Sequence, residues 1–505
     1  MSAGFGAFEI ARSGMHVNER GLFATGHNIS NVNTPGYSRQ QSVIATGPYI
    51  GVNGGKYQIG LGASVQETRQ IRHMFLDNIY RLESTTLGYW ETRAKTFNDI
   101  EAILAEPLGS GLQEVMNQFW DSWQELSKDP SSLTARAMVR QRAESLVYHI
   151  NHVGMQLDRL QQDLNSELQV RIDEVNDITR QIAYLNVEIL KIEVTNDKAN
   201  DYRDQRNSLL DRLSKLLDIE VTEMQDGQLD ITCGGYFLVH RDKNTNIYAQ
   251  EKSPGDIFFT PMLEDPEDIE LPVKGGIIKG LLESRGEYIY PDTDVVEGID
   301  VDGDGVLDTL KYEDTNSLNI VSELKRRLDY LVNTLAIEVN KLHKSGKTLG
   351  NPPNDGEGFF VPLDPAYPMR MSNIKLNDTL LDLNNIVASK NGDSGDNTIS
   401  LQIANLRQIP LLINDKGVLT LDSYYQSIIQ EIGNGGAEAT RISENQNMLV
   451  ISADSQRQSI MGVSLDEEMS NMMKYQFGYS ASARIMNILD EMIDTVVNRM
   501  GITGR

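Results

Sequence analysis

The acidic stretch DVDGDGVLDTLK, which begins at Asp300, has the side-chain spacing of a calcium-binding loop. Such a loop places oxygen ligands at its odd positions and a glycine at its sharpest turn, which Gly305 fits here. The last position is Lys311, where calcium loops carry a bidentate glutamate. The sequence therefore leaves two alternatives open, a calcium site and a solvated acidic loop. The predicted calcium ligands are Asp300, Asp302, Asp304, Val306 and Asp308.

Other residues that resemble reactive or metal-binding sites are weaker candidates. His149 and His152 are spaced to share one face of a helix, but no third ligand lies at an obvious spacing beyond Glu144, so a structural or solvated role is favoured. The stretch KSGKTLG has Lys341 where a phosphate-binding loop needs its first glycine. No nucleophile-elbow or zinc-protease motif is present. The sequence therefore predicts no enzyme and no cofactor other than calcium at the Asp300 loop.

Composition limits the class of partner. The 505 residues suffice for about three domains, and 40% are apolar, so the chain can bury a core. A formal charge of −26 argues against nucleic acid and anionic membranes, which bind basic surfaces. The single cysteine, Cys233, excludes an internal disulfide. We expect no membrane span, and Glu9, Arg12 and Glu19 interrupt the apolar run that a cleaved signal requires.

Both ends of the chain have a heptad pattern that predicts helices with one apolar seam. The N-terminal seam is Phe8, Met15, Leu22 and Ile29, with Ala11, Asn18, Thr25 and Val32 as its second row. The C-terminal seam is Leu465, Met472, Tyr479, Met486, Ile493 and Met500, with Tyr475, Leu489 and Val496 beside it. Neither seam can be buried alone. The two helices are therefore expected to pack on each other, on other subunits, or on both.

The N-terminal helix is expected to end at a joint with the sequence ATGHNISNVNTPGYSRQ. Pro35 disfavours helical geometry at the residue before it, and Pro35-Gly36 fits the centre of a type II turn. Asn28 and Asn31 lie beside the seam, where their amides are free to bond a neighbouring helix or the backbone past the helix end. From Tyr37 the chain is expected to run outward into a β-rich segment.

The middle of the chain alternates between helical and strand-like segments. Predicted helices cover 73–104, 112–126, 131–164, 168–192, a segment from near 202, 317–343 and 421–432. Glycine-rich hairpins are predicted between 37 and 66, and a further hairpin turns at Asp226-Gly227. The predicted fold class is α+β and multidomain, with the central domains inserted between the two terminal helices.

Several of these segments resemble one family. GHNISNVNTPGYSRQ is similar to the N-terminal motif of the flagellar rod, hook and hook-associated proteins, and SLDEEMSNMMKYQFGYSASARIMNILDEMIDTVVNRM to their C-terminal motif. The central stretches FWDSWQELSKDPSSLTARAMVRQRAESL, NDYRDQRNSLLDRLSKLLDIEV, LDYLVNTLAIEVNKLHKSGKTLGNPPNDGEGFF and GDNTISLQIANLRQ resemble the hook-associated proteins at the hook–filament junction. The resemblance is weakest at about 287–315, which looks like an addition.

The resemblance implies a domain plan in which the terminal helices form an inner coiled coil, a main domain consists of long helices, and β-rich insertions lie outside. The inner axial helical domain comprises 1–36 and 462–505 and is expected to be disordered or mobile in the monomer. The main helical domain, with a β-hairpin element, comprises 37–218, 275–345 and 396–461. The β-rich outer parts are 219–274 and 346–395, and 287–315 is the acidic insertion with the calcium-loop-like motif.

The resemblance also implies a structural role at the hook–filament junction that allows filament assembly outside the cell, after type III export without a cleaved signal peptide. Implied partners are hook protein, a second junction protein, copies of the chain itself in a helical layer, a cytoplasmic export chaperone and the flagellar export apparatus. The implied assembly and chaperone residues of the C-terminal helix are Leu465, Met469, Met472, Tyr475, Tyr479, Ala483, Met486, Leu489, Ile493, Val496 and Met500. Those of the N-terminal helix and joint are Phe8, Met15, Leu22, Asn28, Ile29, Asn31, Val32, Pro35, Gly36 and Tyr37.

Alternatives remain at this point. Another axial protein, such as hook protein or the second junction protein, fits the two ends but not the middle. A flagellum-exported calcium-binding adhesin fits the Asp300 loop and the acidic composition. An enzyme carried on the filament would need a catalytic motif that the sequence lacks.

Overall fold

The computed structural model describes residues 2–52, 57–104, 111–195, 197–251, 257–264, 269–287, 298–299, 309–310, 319–350, 352–414 and 417–499. Helices dominate these ranges, and the strands form small antiparallel sheets. The helices are α1 Ser2–Ser30, α2 Met74–Leu104, α3 Leu112–Lys128, α4 Leu133–Glu193, α5 Asn200–Leu216, α6 Gly276–Arg285, α7 Val321–Lys344, α8 Thr398–Asn405, α9 Leu421–Met461 and α10 Leu465–Asp494.

The strands are short and are paired mainly with their neighbours along the chain. In order they are β1 Gln40–Thr46, β2 Tyr49–Val52, β3 Tyr57–Gly60, β4 Ala63–Gln70, β5 Glu220–Glu223, β6 Leu229–Cys233, β7 Tyr236–His240, β8 Lys243–Asn244, β9 Ile247–Glu251, β10 Phe259–Leu263, β11 Gly298–Ile299, β12 Thr309–Leu310, β13 Phe360–Val361, β14 Lys375–Leu376, β15 Leu412–Asn414 and β16 Gly417–Leu419. β1 pairs with β4, β2 with β3, and β5 to β8 form one sheet in chain order. The predicted hairpins are therefore confirmed, and Gly227 at the predicted turn has a φ of 81°.

Helices α2 to α9 and the strands from β5 onward form what we call the helical body. Its core contains the aromatic side chains of α3, where Phe119 packs against Trp120, Trp123 and Phe359. The 61-residue helix α4 runs through this core. Leu168, Ile172 and Val175 on α4 are at most 1% exposed. The two helices predicted over 131–164 and 168–192 are thus one continuous helix.

Helix α9 corrects the prediction that its helix ends near Ile432, because it continues to Met461. Several glycines follow Ile432, and glycine weakens the interior of a helix. In the structure, a Cβ on Gly435 would lie 2.9 Å from the ring of Phe97, and one on Gly436 would lie 2.9 Å from Glu101. These glycines therefore let α9 approach α2 closely instead of ending the helix.

The two parts predicted to be β-rich add to the core of the helical body. Ile231 and Cys233 from β6 and Phe359 and Val387 from the second part belong to the same buried cluster as the helices. Neither part has a separate core among these residues. Their position on the outside of an assembly stays a prediction.

Candidate functional site

The terminal helices α1 and α10 pack on each other in antiparallel fashion, and we call them the terminal pair. Gly14 faces Ser482 and Gly21 faces Tyr475, while Gly478 of α10 faces Asn18. A Cβ on Gly21 would lie 2.6 Å from the Tyr475 ring, and one on Gly14 would lie 2.7 Å from the Ser482 Oγ. The two backbones are therefore close, and bulky side chains do not fit between them.

The buried face of α1 consists of small and polar residues. Ala11, Val17, Thr25 and Asn28 are at most 6% exposed. The larger predicted seam residues are only half-buried, namely Phe8, Met15, Leu22, Ile29 and Val32. Sequence reasoning missed Gly14 and Gly21, although their heptad spacing marks the face that approaches α10 most closely.

Helix α10 has two apolar faces. Half-buried residues form one of them, namely Met472, Tyr475, Tyr479, Ala483, Met486 and Leu489. The other predicted positions with described side chains are exposed, with Leu465 at 47%, Met469 at 58%, Ile493 at 47% and Val496 at 61%. Met500 lies outside the described residues. A second exposed row on α10 consists of Met473, Phe477, Ile488 and Met492, of which sequence reasoning missed Phe477 and Ile488.

The joint after α1 contains the predicted type II turn. The Tyr37 amide donates to the Thr34 carbonyl oxygen at 3.2 Å, which closes the four-residue turn. Gly36 has a φ of 79°, a conformation that residues with a Cβ rarely adopt. The Asn31 side chain bonds within the joint, since its Nδ2 donates to the His27 carbonyl oxygen at 3.0 Å.

The Asn28 side chain connects the end of α1 to β1 and to α10. Its Oδ1 accepts from the Tyr37 hydroxyl at 2.7 Å and from the Gln40 amide at 2.9 Å. Its Nδ2 donates to the Gln40 carbonyl oxygen at 2.9 Å and to Glu468 Oε2 at 3.1 Å. This side chain is only 1% exposed, so its hydrogen-bonding capacity is used inside the protein.

Glu468 is the buried charge at this joint. Its side chain is 2% exposed, and Arg39 Nε donates to its Oε1 at 2.8 Å. The Arg39 amide also donates to the carbonyl oxygen of Met461 at the end of α9. Arg39 and Glu468 therefore connect the terminal pair to the helical body. Sequence reasoning missed both, because nothing local marks either residue as buried.

Asp204 of α5 holds the other side of the joint. Its Oδ2 accepts from the Ser38 amide at 3.0 Å, and Arg72 lies 3.5 Å from its Oδ1. Burial raises the pKa of Asp204 to about 6. Burial also raises the pKa of Tyr37, and the carboxylates of Asp201, Asp204 and Glu468 add to that effect. The joint is thus a polar network, and an open cleft of about 640 Å³ lies beside it, lined by Pro35, Tyr37 and Asp204 among others.

The predicted calcium ligands Asp300, Asp302, Asp304, Val306 and Asp308 all lie outside the described residues. The described residues on either side, β11 and β12, pair with each other as antiparallel strands. Across the described part of the chain, no cluster of three or more His, Cys, Asp or Glu side chains is arranged to hold a metal ion. Calcium binding at the Asp300 loop stays a prediction.

Among the described helices, none combines the length and the apolar character needed to cross a lipid bilayer.

Comparison with known proteins places these features in one family. The family model described as "Flagellar hook-associated protein FlgK helical domain" matches residues 97–360, and "Flagellar basal body rod FlgEFG protein C-terminal" matches 455–500. Flagellar hook-associated protein 1 of Bacillus subtilis (strain 168) is 32% identical over the full length of both chains. The Escherichia coli (strain K12) protein of the same name is 24% identical over 97% of this chain and 98% of its own.

A solved structure supports the same fold. The flagellar hook junction protein FlgK from Burkholderia pseudomallei aligns with a TM-score of 0.60 and 13% identity, over 77% of this chain and 100% of that one. The long terminal helices, the helical body and the full-length similarity agree with one another. The chain therefore belongs to the flagellar hook-associated protein FlgK family.

Proposed function

We propose that this chain is a structural subunit of the bacterial flagellum that forms the junction between hook and filament and allows the filament to assemble. The support from comparison is the match to hook-associated protein 1 over the full length of both chains. The described geometry agrees with a structural role, because the hydrogen bonds and the ion pair of the joint connect α1, β1 and α10.

The observation that carries this proposal is the uncovered apolar row on α10. Met473, Phe477, Ile488 and Met492 are 53%, 73%, 56% and 60% exposed. The spacing of these residues places them along one side of the helix, away from the side that meets α1. An exposed apolar surface of this length on a chain with a charge of −26 marks a site of protein association.

The partners of this surface are copies of the chain in a helical layer, hook protein and the second junction protein. Before assembly, the same row serves a cytoplasmic chaperone and the flagellar export apparatus. Methionine supports both uses, because its flexible side chain adapts to different binding surfaces. The assembled subunit is extracellular, at the hook–filament junction, and exported without a cleaved signal peptide.

The test uses a strain that lacks the gene and carries variants of it. We expect Phe477→Asp with Ile488→Asp to give hooks without filaments and flagellin in the medium, because the charges prevent burial of the row. Tyr148→Asp is the matched control, since Tyr148 is 74% exposed on α4 of the body. It should restore filaments. Filaments in the double variant, with the protein present at normal level, would contradict the proposal.

A further inference from the structure

A cavity of about 300 Å³ lies where the end of β4 meets the starts of α2 and α5 and the strands β5 and β6. It is separate from the exposed row of α10. Six basic side chains line it in a chain whose net charge is −26. They are Arg69, Arg72, Arg81, Lys198, Arg203 and Arg206. We call this cavity the arginine cleft.

Four of these basic side chains already have carboxylate partners. The ion pairs are Arg72 with Asp77, Arg81 with Asp211, Arg203 with Glu193 and Glu223, and Lys198 with Glu193. In each of these pairs a carboxylate balances the charge of the basic side chain. None of these ion pairs includes Arg69 or Arg206.

Arg206 is a buried cation whose described hydrogen-bond partners are neutral. Its side chain is 2% exposed, and its Nη1 donates to Asn186 Oδ1 and to the Gly227 carbonyl oxygen, both at 2.8 Å. Its Nε has no hydrogen-bond partner among the described residues. Burial, together with the nearby charge of Arg203, lowers its pKa to about 10, although the carboxylates of Glu223 and Glu193 partly oppose this shift. A buried guanidinium in this situation is stabilised by an added anion.

Two further features of the arginine cleft favour an anion. Arg69 is exposed at the end of β4, and none of the ion pairs described for the cleft involves it. Helix α5 begins at Asn200 after Ala199, which provides no side-chain cap for the first amides. The start of a helix carries partial positive charge, and Lys198 and Asn200 place this start at the cleft, although Asp201 in the first turn and Glu193 at the Ala199 amide offset part of that charge.

We propose that the arginine cleft binds a small oxyanion, either inorganic phosphate or a carboxylate. The guanidinium groups of Arg206 and Arg69 provide planar hydrogen-bond donors, which match the oxygen geometry of both groups. The bound anion neutralises Arg206 and joins β4 to α5. This proposal is independent of the proposed function, because it concerns the folded monomer.

The test is calorimetric titration of the purified full chain with inorganic phosphate, and separately with acetate, against chloride of the same ionic strength. We expect saturable binding of one anion per chain. Arg69→Gln and Arg206→Lys should each weaken it about tenfold or more, because each removes a charge-assisted hydrogen bond. Arg212→Gln is the matched control, since Arg212 lies on the same helix with its side chain 60% exposed, outside the cleft. It should leave the binding unchanged.

The two anions distinguish the source of the ligand. Binding of phosphate in preference to acetate indicates a free phosphate ion, and binding of acetate alone indicates a carboxylate. If neither anion gives saturable heat, or if the two cleft variants bind like Arg212→Gln, the proposal is wrong. Circular dichroism verifies that each variant is folded. Arg69→Gln decides the outcome if Arg206→Lys does not fold.

Discussion

Apolar residues at helical spacing are buried in the helical body but largely exposed in the terminal pair. In α4, apolar positions at helical spacing are buried along the whole length of the helix, including Leu168, Ile172 and Ile189. In α10, the only buried side chain is the charged Glu468, while Phe477 and Met492 remain exposed. The body thus completes its core within one chain. The terminal pair leaves apolar surface on α10 that the described residues do not cover.

The largest expected effect lies in the body. Phe119→Ala removes a fully buried ring that packs against Trp120, Trp123 and Phe359. It should lower the free energy of unfolding by about 3–5 kcal/mol, measured by urea denaturation. Tyr148→Ala, at an exposed position, is the control and should change stability by no more than about 0.5 kcal/mol. A loss below about 1 kcal/mol for Phe119→Ala would show that the core does not depend on this cluster.

An intermediate effect is expected where the two regions meet. Arg39→Ala leaves the buried carboxylate of Glu468 without its cation, and Arg39 itself is 21% exposed. We expect α10 to open more readily by about 2 kcal/mol, seen as roughly thirtyfold faster amide exchange in α10. Exchange in α4 should not change.

A second substitution verifies the cause of that effect. Adding Glu468→Gln to Arg39→Ala removes the uncompensated charge, so the double variant should regain part of the lost protection. If both variants exchange at the wild-type rate, the ion pair does not attach the terminal pair to the body.

Effects of similar or smaller size are expected inside the terminal pair. Gly21→Leu would place a side chain where the Tyr475 ring lies, so it should weaken the pairing of α1 and α10 by about 1–3 kcal/mol. Gly26→Ala is the matched control, because a Cβ there meets nothing within 4 Å. It should strengthen α1 by about 0.5–1 kcal/mol through helix propensity. Amide exchange in α1 measures the effect of each substitution. Equal exchange rates in the two variants would show that the helices do not pack closely at Gly21.

Local sequence was sufficient for features that depend on neighbouring residues. The Pro35-Gly36 turn was predicted because both conformational preferences belong to those residues, and the structure has it. The helix over 421–432 was predicted, but its extension to Met461 was not. That extension depends on Phe97 and Glu101, which are far from Gly435 in the sequence.

Local residue patterns are enough to predict the helical periodicity of both ends, the joint turn, the hairpins and the family. The tertiary structure alone decided which side of α10 meets α1, which glycines permit close approach, and that Glu468 is buried against Arg39. The physical reason is the separation along the chain over which each effect acts. Backbone preference and apolar period act over a few residues, whereas the Arg39–Glu468 contact joins positions 429 residues apart, and only the packed fold brings them together.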